Sequence, residues 1–143
     1  MSQYPRPNYH FTVQWGGTRL GVMEVSGLEA EIVVIEHREG GDPEATPRKM
    51  PGMRKFGNIV LKRGLVAGDN EFFEWFNSTQ LSTAQRRDIV INLLNENHEP
   101  VIVWKVKNAW PVKLQSADLK SDANEVAIET LELAHEGLVI EAV

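Results

Sequence analysis

The chain has 143 residues, 42% of them hydrophobic and 24% charged, with a formal net charge of −5 at pH 7. That length suits one domain, able to bury a single core without metals or staples. The absence of cysteine excludes disulfides, thiolate zinc sites and cysteine nucleophiles. The acidic balance argues against a general nucleic-acid binder, and no apolar run approaches the roughly 20 residues that span a bilayer. The opening segment Met1–Pro7 carries no hydrophobic signal region, so synthesis and assembly are expected in the cytoplasm.

Tyr9, Phe11, Val13 and Trp15 alternate with His10, Thr12 and Gln14, the pattern of a half-buried strand. Gly16-Gly17 supplies a hairpin turn. A second strand is expected from about Arg19 to Ser26, and a third from about Glu29 to His37. The centre of the third, Ile32-Val33-Val34-Ile35, is apolar on both faces and calls for cover on both. Residues 38–55 hold Gly40, Gly41, Asp42, Pro43, Pro47, Pro51 and Gly52 without periodicity. They read as one long loop, a length that usually signals function or disorder. Met50 and Met53 stand there beside Arg48, Lys49, Arg54 and Lys55, a mix suited to an adaptable contact surface.

A short strand is expected at 57–63. The only helix is expected from Asp69 to Thr79, capped by Asp69 or Asn70, with Glu71 and Glu74 complementing its dipole. Phe72, Phe73 and Phe76, with Trp75 at the edge of their stripe, form its anchor. Further strands are expected at 86–95, Pro100–Lys107, Trp110–Gln115 and Glu125–Ala134, with Leu138–Ile140 closing the sheet. The sum is a mainly β single domain: two packed antiparallel sheets, a sandwich or small barrel, flanked by one helix.

No catalytic constellation emerges. His10, His37, His98 and His135 show no metal-ligand spacing, although His10 and His37 fall on adjacent expected strands. Gly16-Gly17 and Gly40-Gly41 precede no helix and are not phosphate loops. Asp118, Asp122 and Glu125 lack the alternate-position spacing of a calcium loop. No cofactor or metal is implied. The charge is unevenly placed: residues 38–63 carry seven basic side chains against three acidic, and residues 114–143 seven acidic against one basic. The two regions could meet within one molecule or between copies, and Arg48, Lys49, Met50, Met53, Arg54 and Lys55 are candidate protein-contact residues. Asp118, Asp122, Glu125, Glu129 and Glu132 form a candidate acidic counter-surface.

Several blocks together resemble the tail tube proteins of contractile-tailed phages and contractile injection systems. They are Phe11-Thr12-Val13-Gln14-Trp15-Gly16-Gly17, Val25-Ser26-Gly27-Leu28-Glu29, Ile35-Glu36-His37-Arg38-Glu39-Gly40-Gly41, Met50–Ile59 with Leu61-Lys62-Arg63-Gly64, Asn108–Lys113, and Asn124–Leu138. The resemblance covers nearly the whole chain in order. It implies a non-enzymatic structural subunit with an N-terminal arm at 1–8, forming hexameric rings stacked head to tail into a hollow conduit for cargo inside a contractile sheath. Sheath, baseplate or spike and terminator proteins would be its partners, without membrane insertion or sequence-specific nucleic-acid binding. The loop 38–55 would contact a neighbouring ring or subunit. The opening Tyr-Pro-x-Pro-x-Tyr-His-Phe pattern leans toward an extracellular injection particle. A second reading, from another class, is a monomeric β-sandwich module that binds a ligand or protein.

Overall fold

The computed structural model describes residues 10–16, 18–37, 40, 47–65, 68–80, 83–119, 121 and 127–143. The expected N-terminal arm, residues 1–8, lies outside them. The elements are β1 Phe11–Trp15, β2 Thr18–Leu20, β3 Glu24–Ser26, β4 Ala30–His37, β5 Arg48–Phe56, β6 Ile59–Gly64, α1 Glu71–Asn77, β7 Arg87–Leu94, β8 Pro100–Ser116, β9 Ile128–Ala134 and β10 Gly137–Ala142.

The architecture is the expected mainly β fold of two sheets and one helix. The first sheet runs β2-β1-β7-β8, with β10 on the far side of β8; the second continues β8-β9-β6-β3. Every pairing is antiparallel. One strand thus belongs to both sheets. Residues 100–109 of β8 pair with β7, residues 102–107 also pair with β10, and residues 110–116 pair with β9. The two strands expected at Pro100–Lys107 and Trp110–Gln115 are this one strand, bent where it changes sheet. Asn108 makes the bend with φ 53, a left-handed conformation that Asn tolerates better than most residues. Its N–H donates to Asp88 Oδ1 at 3.1 Å and its amide to Glu136 Oε2 at 2.7 Å. A second irregularity falls between Pro111 and Lys113, which suits a proline that has no N–H to give the ladder.

The strand expected at Arg19–Ser26 is divided instead. β2 pairs with β1 in the first sheet, and β3 pairs with β6 in the second. The chain changes sheet at Gly21-Val22-Met23, so an unbroken strand is not possible there.

Alternation fills the core. Val13 and Trp15, Ile59 and Leu61, Ile89 and Ile91, Leu131 and Leu133, with Leu20, Val106 and Ala109, interdigitate between the sheets. Helix α1 adds Phe72 and Trp75, both fully buried. Trp15 meets Phe72 at 5.6 Å and Trp75 edge-on at 5.0 Å between ring centroids. The Trp75 indole N–H donates to the Gln85 carbonyl at 2.7 Å, satisfying the one polar atom that this burial would strand. The helical anchor is therefore Phe72 and Trp75, with Phe76 half-buried. Phe73 is a correction to the expected stripe: it is 51% exposed, because only one side of a single short helix meets the sheets.

The same alternation that buries Ile59 and Leu61 also turns Arg63 inward, at 3% exposure. Its guanidinium donates from Nε to Glu129 and from both terminal nitrogens to Asp69, each at 3.2 Å. It also lies 4.1 Å from the Phe72 ring centroid. Arg63 and Glu129 are register partners across β6 and β9, so the pair ties the second sheet to the helix approach. Glu129 is accordingly no part of an acidic surface, at 7% exposure. Removing one partner of a buried ion pair strands the other charge. Arg63→Met is expected to lower unfolding free energy by about 3–5 kcal/mol, and the pair Arg63→Met with Glu129→Leu to recover most of that in urea titrations. A double variant as unstable as the single one would show that the stranded carboxylate is not the cause.

Candidate assembly interface

The long loop expected at 38–55 is corrected by the structure over its second half. Arg48–Phe56 is a strand, β5, that pairs with β4 as a separate two-stranded ribbon. Prolines 47 and 51 and Gly52 hide this in the sequence. One extra residue in β5 lies opposite the step from Ile32 to Val34, and this bulge accommodates Pro51. Gly52 is needed there, since a Cβ would lie 2.8 Å from the Val33 carbonyl oxygen. Residues 38–39 and 41–46 lie outside the described residues.

Among the described residues β4 and β5 pair only with each other, and every residue of β4 is exposed. Ile32, Val33, Val34 and Ile35 are between 38% and 58% exposed, Met50 is 47% and Met53 80%. Among the described residues, nothing supplies the cover that the apolar run calls for. Opposite residues share a face, so Ile32, Val34 and Arg54 lie on one face and Ile35 and Met50 on the other. The base of the ribbon is held firmly. His135 donates from Nε2 to the Gly57 carbonyl at 2.9 Å, and its ring lies 5.5 Å from Phe56. Gly27, at φ +84, passes so close to Asn58 that a Cβ would sit 1.9 Å from its carbonyl oxygen.

The charges sort differently from their order in the sequence. Lys49 stands opposite Glu36 and Lys55 opposite Glu31 within the ribbon itself. Lys62 pairs with Glu24 at 3.6 Å, and Arg63 is buried. Only Arg48 and Arg54 face residues that are not carboxylates, His37 and Ile32. In the C-terminal part, Glu132 accepts from Asn58 at 3.0 Å, Glu136 meets Arg86 at 3.3 Å, and Glu141 meets Lys105 at 3.1 Å. Asp118 is exposed; Asp122 and Glu125 lie outside the described residues. Among the described residues, no group of three or more His, Asp or Glu could hold a metal ion. His10 meets His98 edge-on at 6.0 Å rather than His37, because β1 pairs with β2 and β7.

A second surface surrounds α1. The Arg87 guanidinium lies against both Trp15 and Trp75, 4.9 and 4.8 Å from their ring centroids. Burial pulls its guanidinium below the usual value, while Glu71 opposes the shift. Trp15 and Arg87, with Gly16, Glu71, Glu74 and Gln85, line an open groove of about 480 Å³. Arg63 and Arg87 occupy inward positions of alternating strands; that alternation was the available signal for both.

At the entry to the helix, the Glu71 N–H lowers the Asp69 carboxyl pKa below its ordinary 3.8; burial opposes this, and Arg63 adds to it. A depressed folded-state value stabilises the fold above the unfolded value and loses that contribution as pH falls through the folded one. The stability gap between the native chain and Asp69→Asn is therefore expected to be constant above about pH 4 and to close in stronger acid. Thermal unfolding from pH 7 to pH 2 measures it, and a gap that widens in acid would reverse the assignment.

Comparison with known proteins places this geometry. The family model described as the T4-like virus tail tube protein gp19 matches residues 7–139. A chain of the PVC sheath–tube complex, an extracellular contractile injection system in its extended state, is 34% identical, with a TM-score of 0.90 over 99% of this chain and 94% of that one. A chain of the anti-feeding prophage tube-terminating cap is 35% identical, with a TM-score of 0.91 over 100% and 95%. A chain of the anti-feeding prophage baseplate is 26% identical, with a TM-score of 0.84 over 99% and 98%. A comparison with curated protein sequences returns no match. The chain belongs to the T4-like tail tube protein family.

Proposed function

We propose that copies of this tail tube subunit close into six-membered rings that stack head to tail into a hollow conduit, and that the β4–β5 ribbon carries the contact from one copy to the next. The observation that carries this reading is the ribbon itself. An isolated two-stranded ribbon is marginal in water, and this one leaves Ile32–Ile35, Met50 and Met53 in solvent. Covering them on a neighbour would release roughly 5–10 kcal/mol per copy. That is of the same order as the cost of holding two molecules together, about 4–15 kcal/mol. One such contact is weak, and many in a closed, repeating array are strong. A contact between unlike surfaces propagates rather than closing on itself as a pair, as a stacked tube requires.

Membership of a tail tube family supports a structural role, and among the described residues the buried charged side chains, Arg63 and Glu129, pair with each other. By likeness to chains found in a sheath–tube complex, a tube-terminating cap and a baseplate, the tube would sit inside a sheath between a baseplate and a terminator, with cargo in its lumen, as part of a phage tail or an injection particle assembled in the cytoplasm.

None of the core residues comes from the ribbon. Excising residues 40–52 is therefore expected to leave a cooperatively folded sandwich that no longer forms tubes in electron micrographs. Normal tubes from the excised chain would remove the ribbon from the assembly.

A further inference from the structure

We propose that the exposed side of α1, centred on Phe73 and Glu74, is the seat for the β4–β5 ribbon of a second copy of this chain, with Arg54 of the incoming ribbon pairing with Glu74. This deepens the tube reading and rests on it: that reading says the ribbon reaches a neighbour, and this inference names where.

Two unmatched surfaces motivate the pairing. On the helix, Phe73 is 51% exposed, an aromatic ring in water beside a carboxylate. The Glu74 carboxylate has no hydrogen-bond or ion-pair partner among the described residues. Its neighbour Glu71 differs, lying 4.0 Å from Arg63 and acting on Arg87. Glu74 also lines the groove that holds Trp15 and Arg87, so an incoming side chain there meets a free negative charge.

On the ribbon, Arg54 is the complementary group. Lys49 and Lys55 face Glu36 and Glu31 across the strand pair, but Arg54 faces Ile32. Its guanidinium is exposed and has no carboxylate partner among the described residues. Cross-strand pairing and alternation place it on the same face as Ile32 and Val34. That face offers one planar cation beside two branched aliphatic side chains, and the helix offers one carboxylate beside a phenyl ring. No hydrogen bond or ion pair joins the two surfaces within one chain among the described residues, so the natural occupant is another copy. The contact joins unlike surfaces and therefore propagates along an array. A charge pair closed off from water by the surrounding apolar side chains is worth more than one in open solvent.

The test is a charge swap in the full chain. Arg54→Glu and Glu74→Arg are each expected to raise the concentration for half-assembly on the order of tenfold at low salt. The two together are expected to return it to within about threefold of the native chain, with tubes restored in negative stain. The chain has no cysteine, so Val34→Cys with Phe73→Cys provides a unique pair. Under mild oxidation it is expected to give a ladder of covalent oligomers, while either single variant gives at most dimers. Tubes from the native chain, without rescue by the swap and without a ladder, would overturn this inference and leave the tube reading standing. Failure of the native chain to form tubes at all would overturn both. Intact tubes from Glu74→Arg that lose only a sheath protein would give this side of α1 to a different partner and would also overturn the inference.

Discussion

Everything distinctive about this subunit follows from an apolar run that none of its described residues covers. Ile32–Ile35 form a strand whose partner is β5 alone, so both faces of the ribbon are open to water. In a monomer that is a standing cost, and exposed strand edges invite further pairing. In the proposed tube each ribbon would be covered by a neighbouring copy. The fold is thus complete as a sandwich and incomplete as a surface, the division that a repeating assembly uses.

The rest of the chain makes that exposed element tolerable by holding its base rigidly. Gly57, bonded to His135 from the end of β9, and Gly27, pressed against Asn58, fix where the ribbon leaves the sandwich. The sandwich is locked in turn by features at the seams between its sheets. β8 crosses from one to the other at Asn108, and Arg63 draws Glu129 of β9 and Asp69 before α1 to one point. Aromatic stacking of Trp15, Trp75 and Phe72 seats the helix against the same core.

Much of this was legible in the sequence. Strict alternation located β1 and β7, strands were expected at 57–63 and Glu125–Ala134 where β6 and β9 stand, and the blocks from Phe11 to Leu138 carried the family. The misreadings have specific causes. Prolines and glycine at 47, 51 and 52 read as a loop because a bulged, solvent-exposed ribbon needs no inward and outward alternation. The Arg19–Ser26 run read as one strand because a change of sheet leaves no mark in hydropathy. Glu129 read as surface because a carboxylate is ordinarily solvated, and only pairing with Arg63 across β6 and β9 reveals why it is buried. Phe73 read as anchor because four aromatics in five positions do not show which side of a short helix meets the core. Which basic residues remain unneutralised depended on strand register, which composition does not contain.

Hydrogen exchange, resolved by segment on dispersed subunits and on assembled tubes, addresses the central claim most directly. Amides of β1, β7 and β9 should be protected in both states, because their bonds lie inside the sandwich. Amides of 30–37 and 48–56 should exchange rapidly in the dispersed subunit and become strongly protected in the tube. A ribbon already as protected in the free subunit as in the tube, or as unprotected in the tube as in the free subunit, would contradict the claim that neighbouring copies complete it.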